Sequence, residues 1–232
     1  MVEESATRQF LKNVPLFSQL DDGELAQLAH VVRERHFKKH TTIVHVDDPG
    51  TALYILKSGL AKITLADHQG YEVILRLLYP TDFFGDMALL DGMPRSATIT
   101  TQEPSAVLTL ARDPFLDMLA QSPSIVLKMS VVLCERLRKA NELIQSLIFF
   151  DAYSKIARVL LTLAAERGRV TPQATVIDRR LTQQELAGLT GMRRETVART
   201  LHAFQEAGCI RVDAGIISIL EPEMLRREVG RA

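Results

Sequence analysis

The sequence predicts an α+β chain in three parts: an antiparallel β-barrel of the jelly-roll kind, one long helix, and a winged helix-turn-helix. Three observations predict it. Short β-rich runs broken by turn residues fill the stretch from about Phe37 to Leu110. An apolar 3-4 repeat then runs through 124–150, and a capped short helix, a glycine turn and a second amphipathic helix follow between Thr182 and Ala207. The parts divide as 1–123, 124–150 and 151–232.

The chain opens with a helical pattern, Leu20, Leu25, Leu28, Ala29 and Val32, which Asp21 or Asp22 is placed to cap. Six β-rich runs come next: Thr41 to Val46, Leu53 to Leu56, Ala61 to Leu65, Glu72 to Leu75, Ala97 to Thr101 and Ala106 to Leu110. Turn signals separate them at Asp48-Pro49-Gly50, Ser58-Gly59, Asp67 to Gly70 and Gly92-Met93-Pro94. With no helical stretch between most of these runs, an antiparallel barrel or sandwich fits and alternating βαβ units do not.

The long helix is expected from about Ser124 to Phe150. Ser130, Leu133, Leu137, Ala140, Ile144 and Leu147 recur at alternating steps of three and four, the spacing of a coiled-coil seam. Such a stripe packs either on a second copy of the chain or on its own barrel. Arg136, Arg138, Lys139, Glu142 and Gln145 keep the flanks polar and favour the homodimer.

Composition narrows the class. The chain of 232 residues is 47% hydrophobic and 24% charged, with a net charge of zero. No run nears the roughly 18 apolar residues of a membrane span, and Met1 to Ser5 lacks the basic start of a signal peptide, so a cytoplasmic protein without a membrane partner is expected. Cys134 and Cys209 stand far apart, which fits two small buried residues better than a metal site. The zero charge hides an asymmetry: from Asp151 onward 13 Lys and Arg face 10 Asp and Glu, a balance of +3, against −3 before it. A basic C-terminal part suits nucleic acid.

That part carries the sharpest signal. Thr182, with Glu185 three residues on, makes a capping box that starts a short helix; Gly191 ends it in a turn that wants a positive φ. Arg194 to Ala207 forms the next helix, with Val197, Leu201 and Phe204 inward. Arg194, Glu195 and Arg199 then share one outer arc at the N-terminal end of the second helix, the position that enters a major groove. Arginine can pair with guanine O6 and N7, and glutamate can accept from cytosine N4. Thr182, Gln183, Arg193 and Thr196 are placed for phosphates. The alternating run Ile210 to Ile219 reads as a hairpin wing.

This order of parts resembles the CRP/FNR family of bacterial regulators over nearly the whole chain. The match is closest in Thr182 to Cys209, with Arg194-Glu195-Thr196-Val197-Ala198-Arg199. The resemblance implies a homodimer that reads a palindrome of TGTGA-like half-sites, with double-stranded DNA and RNA polymerase as partners. By the same analogy, Gly168 to Thr175 is where polymerase touches. Phe84 to Leu90 followed by Pro94-Arg95-Ser96-Ala97 resembles the phosphate-binding cassette of cyclic-nucleotide domains. A glycine lets backbone amides approach an anion there, and an arginine neutralises it. The implied ligand is cAMP, held by Gly85, Asp86, Met87, Ala88, Arg95, Ser96, Arg136 and Asn141. Two departures stand out. The cassette carboxylate, glutamate in the cAMP-responsive pattern, is Asp86, and the adenine-contacting Thr-Ser pair becomes Ala140 and Asn141.

No metal, haem or iron–sulfur cluster is expected. There is no cysteine before Cys134, and His36, His40, His45 and His68 read as ordinary strand and turn histidines. Two alternatives stay open: an effector-independent regulator of the same family, and a barrel-based metal enzyme. The second lacks the HxH ligand pair it would need, so no enzyme is expected.

Overall fold

The computed structural model describes residues 2–230; Met1, Arg231 and Ala232, which the outer two parts include, lie outside them. Two compact units form, one of Met1–Leu65 with Leu75–Arg138 and the other of Ala66–Ile74 with Lys139–Ala232.

The first unit opens with α1 (Val2–Lys12), a 3-10 turn (Pro15–Phe17) and α2 (Asp22–Val31). Asp21 accepts the Glu24 amide while the Glu24 carboxylate accepts that of Asp21, so the cap is Asp21 and not Asp22. The strands are β1 (Arg33–Phe37), β2 (Thr42–Val44), β3 (Ala52–Ser58), β4 (Ala61–Ala66), β5 (Glu72–Leu78), β6 (Phe83–Phe84), β7 (Thr98–Thr101) and β8 (Ser105–Ala111). Helix α3 (Asp86–Leu90) separates β6 from β7, and α4 (Arg112–Gln121) and α5 (Pro123–Phe149) follow β8. Two four-stranded sheets result, in the orders β1-β8-β3-β6 and β2-β7-β4-β5. Each observed strand pair between them is antiparallel.

Strand β3 shows why this stretch is apolar on both faces. Ala52, Tyr54 and Leu56 point between the sheets with Val44, Leu78, Phe84, Ile99 and Val107. Leu53 and Ile55 point the other way, into a second core with Leu16, Phe17, Leu25, Leu108, Phe115, Ile125 and Met129. The N-terminal helices thus cover a sheet face that would otherwise be wet. Strand β1 escapes the sequence reading because Arg-Glu-Arg-His carries no β signature; it holds an edge, where charge is tolerated.

Helix α5 leaves Leu127, Val131, Leu137, Ile144, Ile148 and Phe149 exposed, from 47% to 70%. Leu133 is half-buried against the second core, and Cys134, one position further round, is exposed. The expectation of two buried cysteines therefore holds for Cys209 alone.

The second unit contains α6 (Ala152–Arg167), β9 (Gly168–Val170), β10 (Thr175–Ile177), α7 (Gln183–Thr190), α8 (Arg194–Glu206), β11 (Ile210–Asp213), β12 (Ile216–Ile219) and α9 (Pro222–Val229). The stretch Gly168 to Asp178, which carries no strand signal in the sequence, adds β9 and β10 to the wing, giving a sheet ordered β11-β12-β10-β9. Its strands are only three residues long, too short for an alternation to register. Ile156, Leu160, Leu186, Val197, Leu201, Phe204, Ile217 and Leu225 form the buried interior. Among the described residues no single helix is long and apolar enough to cross a membrane.

Candidate functional site

Two separate constellations carry chemistry. The first surrounds α3. Phe83 and Phe84 are buried in β6, so the chain must turn sharply before α3 starts, and Gly85 makes that turn at φ 83°. A side chain here is excluded twice over, since a Cβ would lie 2.5 Å from Arg95 Nη1. Arg95 is only 5% exposed. Its Nη1 donates to the Gly85 carbonyl at 2.6 Å and its Nη2 to that of Ala52 at 2.8 Å. Of five guanidinium donors these use two, so the arginine is locked in place with donors to spare for an anion.

Asp86 is buried, 1% exposed, and both its oxygens accept from Arg136 Nη1, at 2.8 and 2.9 Å. Arg136 Nη2 donates to the Phe83 carbonyl at 2.8 Å, and its guanidinium sits 4.7 Å from the centre of the Phe83 ring. Helix α5 is thereby tied to the cassette by a desolvated ion pair. Arg136 Nε is buried without a partner. A glycine turn lined by a fixed arginine with donors to spare suits an anion, and beside it stands a buried Asp–Arg pair. Ala88 is buried, whereas Met87 and Ser96 are exposed, with Ser96 Oγ 4.0 Å from Met87 Sδ. Ala140 and Asn141 are exposed on α5 in the second unit.

The second constellation is built on α7 and α8. Thr182 Oγ1 accepts the Glu185 amide at 3.0 Å, which fixes the start of α7. The reciprocal half of the capping box is replaced: the Glu185 carboxylate accepts from Arg179 Nη2 at 2.7 Å, both side chains largely buried. Arg179 was not legible as a partner because local spacing points Glu185 back to its cap; its adjacency to the Thr182 cap is the signal that was there. Gly191 closes α7 at φ 62°. Arg194, Glu195 and Arg199 are all exposed, while Val197, Thr200, Leu201 and Phe204 are buried behind them. Gln183 accepts from Arg194 Nε at 3.3 Å, linking the two helices at their outer ends. Thr182, Gln183 and Arg193 are exposed and Thr196 is half-exposed around the same end of α8.

The histidines stay apart: His36 lies on β1, 3.4 Å from Glu34, and His68 is in an exposed turn. Among the described residues no group of three His, Cys, Asp or Glu side chains could hold a metal ion.

Comparison with known proteins bears on both places. Residues 34–122 match the profile of the cyclic nucleotide-binding domain, and residues 154–228 that of the Crp-like helix-turn-helix domain. The chain is 32% identical over 219 residues to a CRP-like cAMP-activated global transcriptional regulator of Mycobacterium tuberculosis, covering 94% of this chain and 98% of the relative. It is 32% identical over 215 residues to a cyclic AMP receptor protein of Thermus thermophilus, covering 93% and 96%. Among solved structures, a CRP/FNR-family regulator of Thermus thermophilus aligns with TM-score 0.70 at 25% identity, over 85% of this chain and 98% of the other. The c-di-GMP-responsive regulator CLP of Xanthomonas campestris shares the fold at TM-score 0.76 and 24% identity, over 86% and 99%.

Proposed function

The chain belongs to the CRP/FNR family of DNA-binding transcriptional regulators, and from that premise we propose a homodimer whose grip on a TGTGA-like palindrome is set by cAMP or a related cyclic nucleotide. The observation that carries the reading is the exposed arc of Arg194, Glu195 and Arg199 at the N-terminal end of α8. The inner face of α8 is buried and the turn before it is closed by Gly191, so the three side chains stand on a helix that is already packed in place. These three read bases; Thr182, Gln183, Arg193 and Thr196 hold phosphates.

Residues 1–123 act as the sensor, 124–150 as the dimerisation helix and 151–232 as the DNA-binding part. The exposed apolar face of α5 supports the dimer, because Leu137, Ile144 and Ile148 gain most by meeting their own copies. Gly85, Asp86, Met87, Ala88, Arg95, Ser96 and Arg136 form the nucleotide site, with Asn141 supplying an amide for the purine. Arg95 takes the cyclic phosphate and the Asp86–Arg136 pair the ribose. Bound nucleotide favours the dimer packing that sets two α8 helices about 34 Å apart, one turn of DNA. The protein works in the cytoplasm, and the β9–β10 hairpin is the surface offered to RNA polymerase.

Fluorescence anisotropy of a labelled TGTGA-type palindrome, with and without cAMP at one salt concentration, tests this. Tight binding that needs cAMP is the expected result. Tight binding that ignores cAMP at saturation refutes the switch and leaves the regulator standing.

A further inference from the structure

The β4–β5 hairpin has a tip that groups with the DNA-binding unit. Asp67 closes it: its Oδ1 accepts the amides of Gln69 and Tyr71 at 2.9 and 2.8 Å, and its own amide donates to the Tyr71 carbonyl at 3.0 Å. From this rigid turn the Tyr71 hydroxyl donates to the Met192 carbonyl at 2.7 Å. Met192 lies in the turn between α7 and α8, directly before Arg193, the N-cap of α8. Beneath it, Ile74 rests on α7 at Gly188. A Cβ on Gly188 would come within 2.8 Å of Ile74 Cγ1 and 2.9 Å of its Cδ1, so the close approach depends on the missing side chain. Burial pushes the Tyr71 hydroxyl above its ordinary value, while Arg193 pulls it down and Asp67 pushes it up; both charges are near enough to act on it.

We propose that the tip of the β4–β5 hairpin is an autoinhibitory clasp on the helix-turn-helix: beside Arg193 it fills space that a DNA phosphate needs. It rests on the reading of Arg193 as a phosphate contact. Among the described residues the clasp includes one hydrogen bond and one aliphatic side chain against a helix, and DNA displaces it by competing for the same space. Free protein is held closed, and affinity for any duplex is reduced by the fraction of molecules in which the hairpin has let go.

The test titrates a labelled TGTGA-type palindrome and a labelled duplex of random sequence, without nucleotide, against the wild type and two variants. Tyr71→Phe removes the bond and keeps the ring. Gly188→Ala drives a wedge against Ile74 and favours helix α7 at the same time. Both should tighten binding to both duplexes by one common factor, about 2- to 12-fold for Tyr71→Phe, the range a single hydrogen bond gives. Arg193→Ala, measured alongside, should weaken both duplexes and shrink the gain from Tyr71→Phe. If Arg193→Ala weakens binding but neither Tyr71→Phe nor Gly188→Ala tightens it, the clasp is overturned and the phosphate reading survives. If Arg193→Ala changes nothing, the phosphate reading falls and takes the clasp with it.

Discussion

Arg136→Met isolates the tie between cassette and long helix. The Asp86 carboxylate is 1% exposed, and Arg136 Nη1 is the partner seen for each of its oxygens. Methionine keeps the length and apolar stem of arginine but leaves a buried carboxylate unpaired. Breaking a buried pair from one side costs about 3–5 kcal/mol. The Arg136 side chain is 23% exposed, so water relieves part of this and the lower end, about 3 kcal/mol, is expected. Arg136→Met with Asp86→Leu removes both charges and should recover most of the loss, because two apolar side chains there leave no orphaned ion. The assay is urea unfolding at fixed protein concentration, with the coupling energy read from the four-membered cycle. A single-variant cost below about 1 kcal/mol, or a double variant no better than the singles, would refute the claim that the pair is desolvated and mutually dependent.

The remaining predictions concern the interfaces and the thiols. Arg199→Ala should lose far more affinity for the palindrome than for random DNA, about 1–3 kcal/mol of discrimination, and an equal loss on both would make it a phosphate contact. Leu137→Glu, at a side chain 63% exposed in the single chain, should shift sedimentation from dimer to monomer at micromolar concentration. Each copy forfeits about 1.5–3 kcal/mol of burial, so an unchanged dimer would place the seam elsewhere. Burial and the nearby Glu228 and Glu221 hold the Cys209 thiol above its ordinary range, so it stays protonated at neutral pH. In a Cys134→Ser background, Cys209 should ignore a disulfide reagent until denaturant is added; rapid labelling of native protein would contradict its 2% exposure.

Much of the fold was legible because its signals are local. The glycine turn at Gly191, the cap at Thr182 and the exposed arc of Arg194, Glu195 and Arg199 depend on φ preference, hydrogen-bond reach and helix period, each confined to a few neighbouring residues. The barrel strands were legible where runs such as β3 were apolar. Strand β1 was not, because its register on β8 is set by a partner some 70 residues away that lets an edge strand carry charge. The short β9–β10 pair failed for the same reason: Thr175 to Ile177 becomes a strand by pairing with Ile217 to Ile219.

At the candidate sites the residue types were already legible in the chain: a glycine, a carboxylate and an arginine in the cassette, and two arginines and a glutamate on α8. What these charges face was left to the packing of the folded chain. It turned Arg95 onto the carbonyls of Gly85 and Ala52, matched Asp86 with Arg136 from 50 positions away, and drew Glu185 from its cap to Arg179. It also brought Tyr71 to Met192, across 121 positions. The physical reason is that a buried charge or hydroxyl must find a partner wherever packing puts one, and packing is settled by the whole chain, whereas caps and turns are settled by their neighbours.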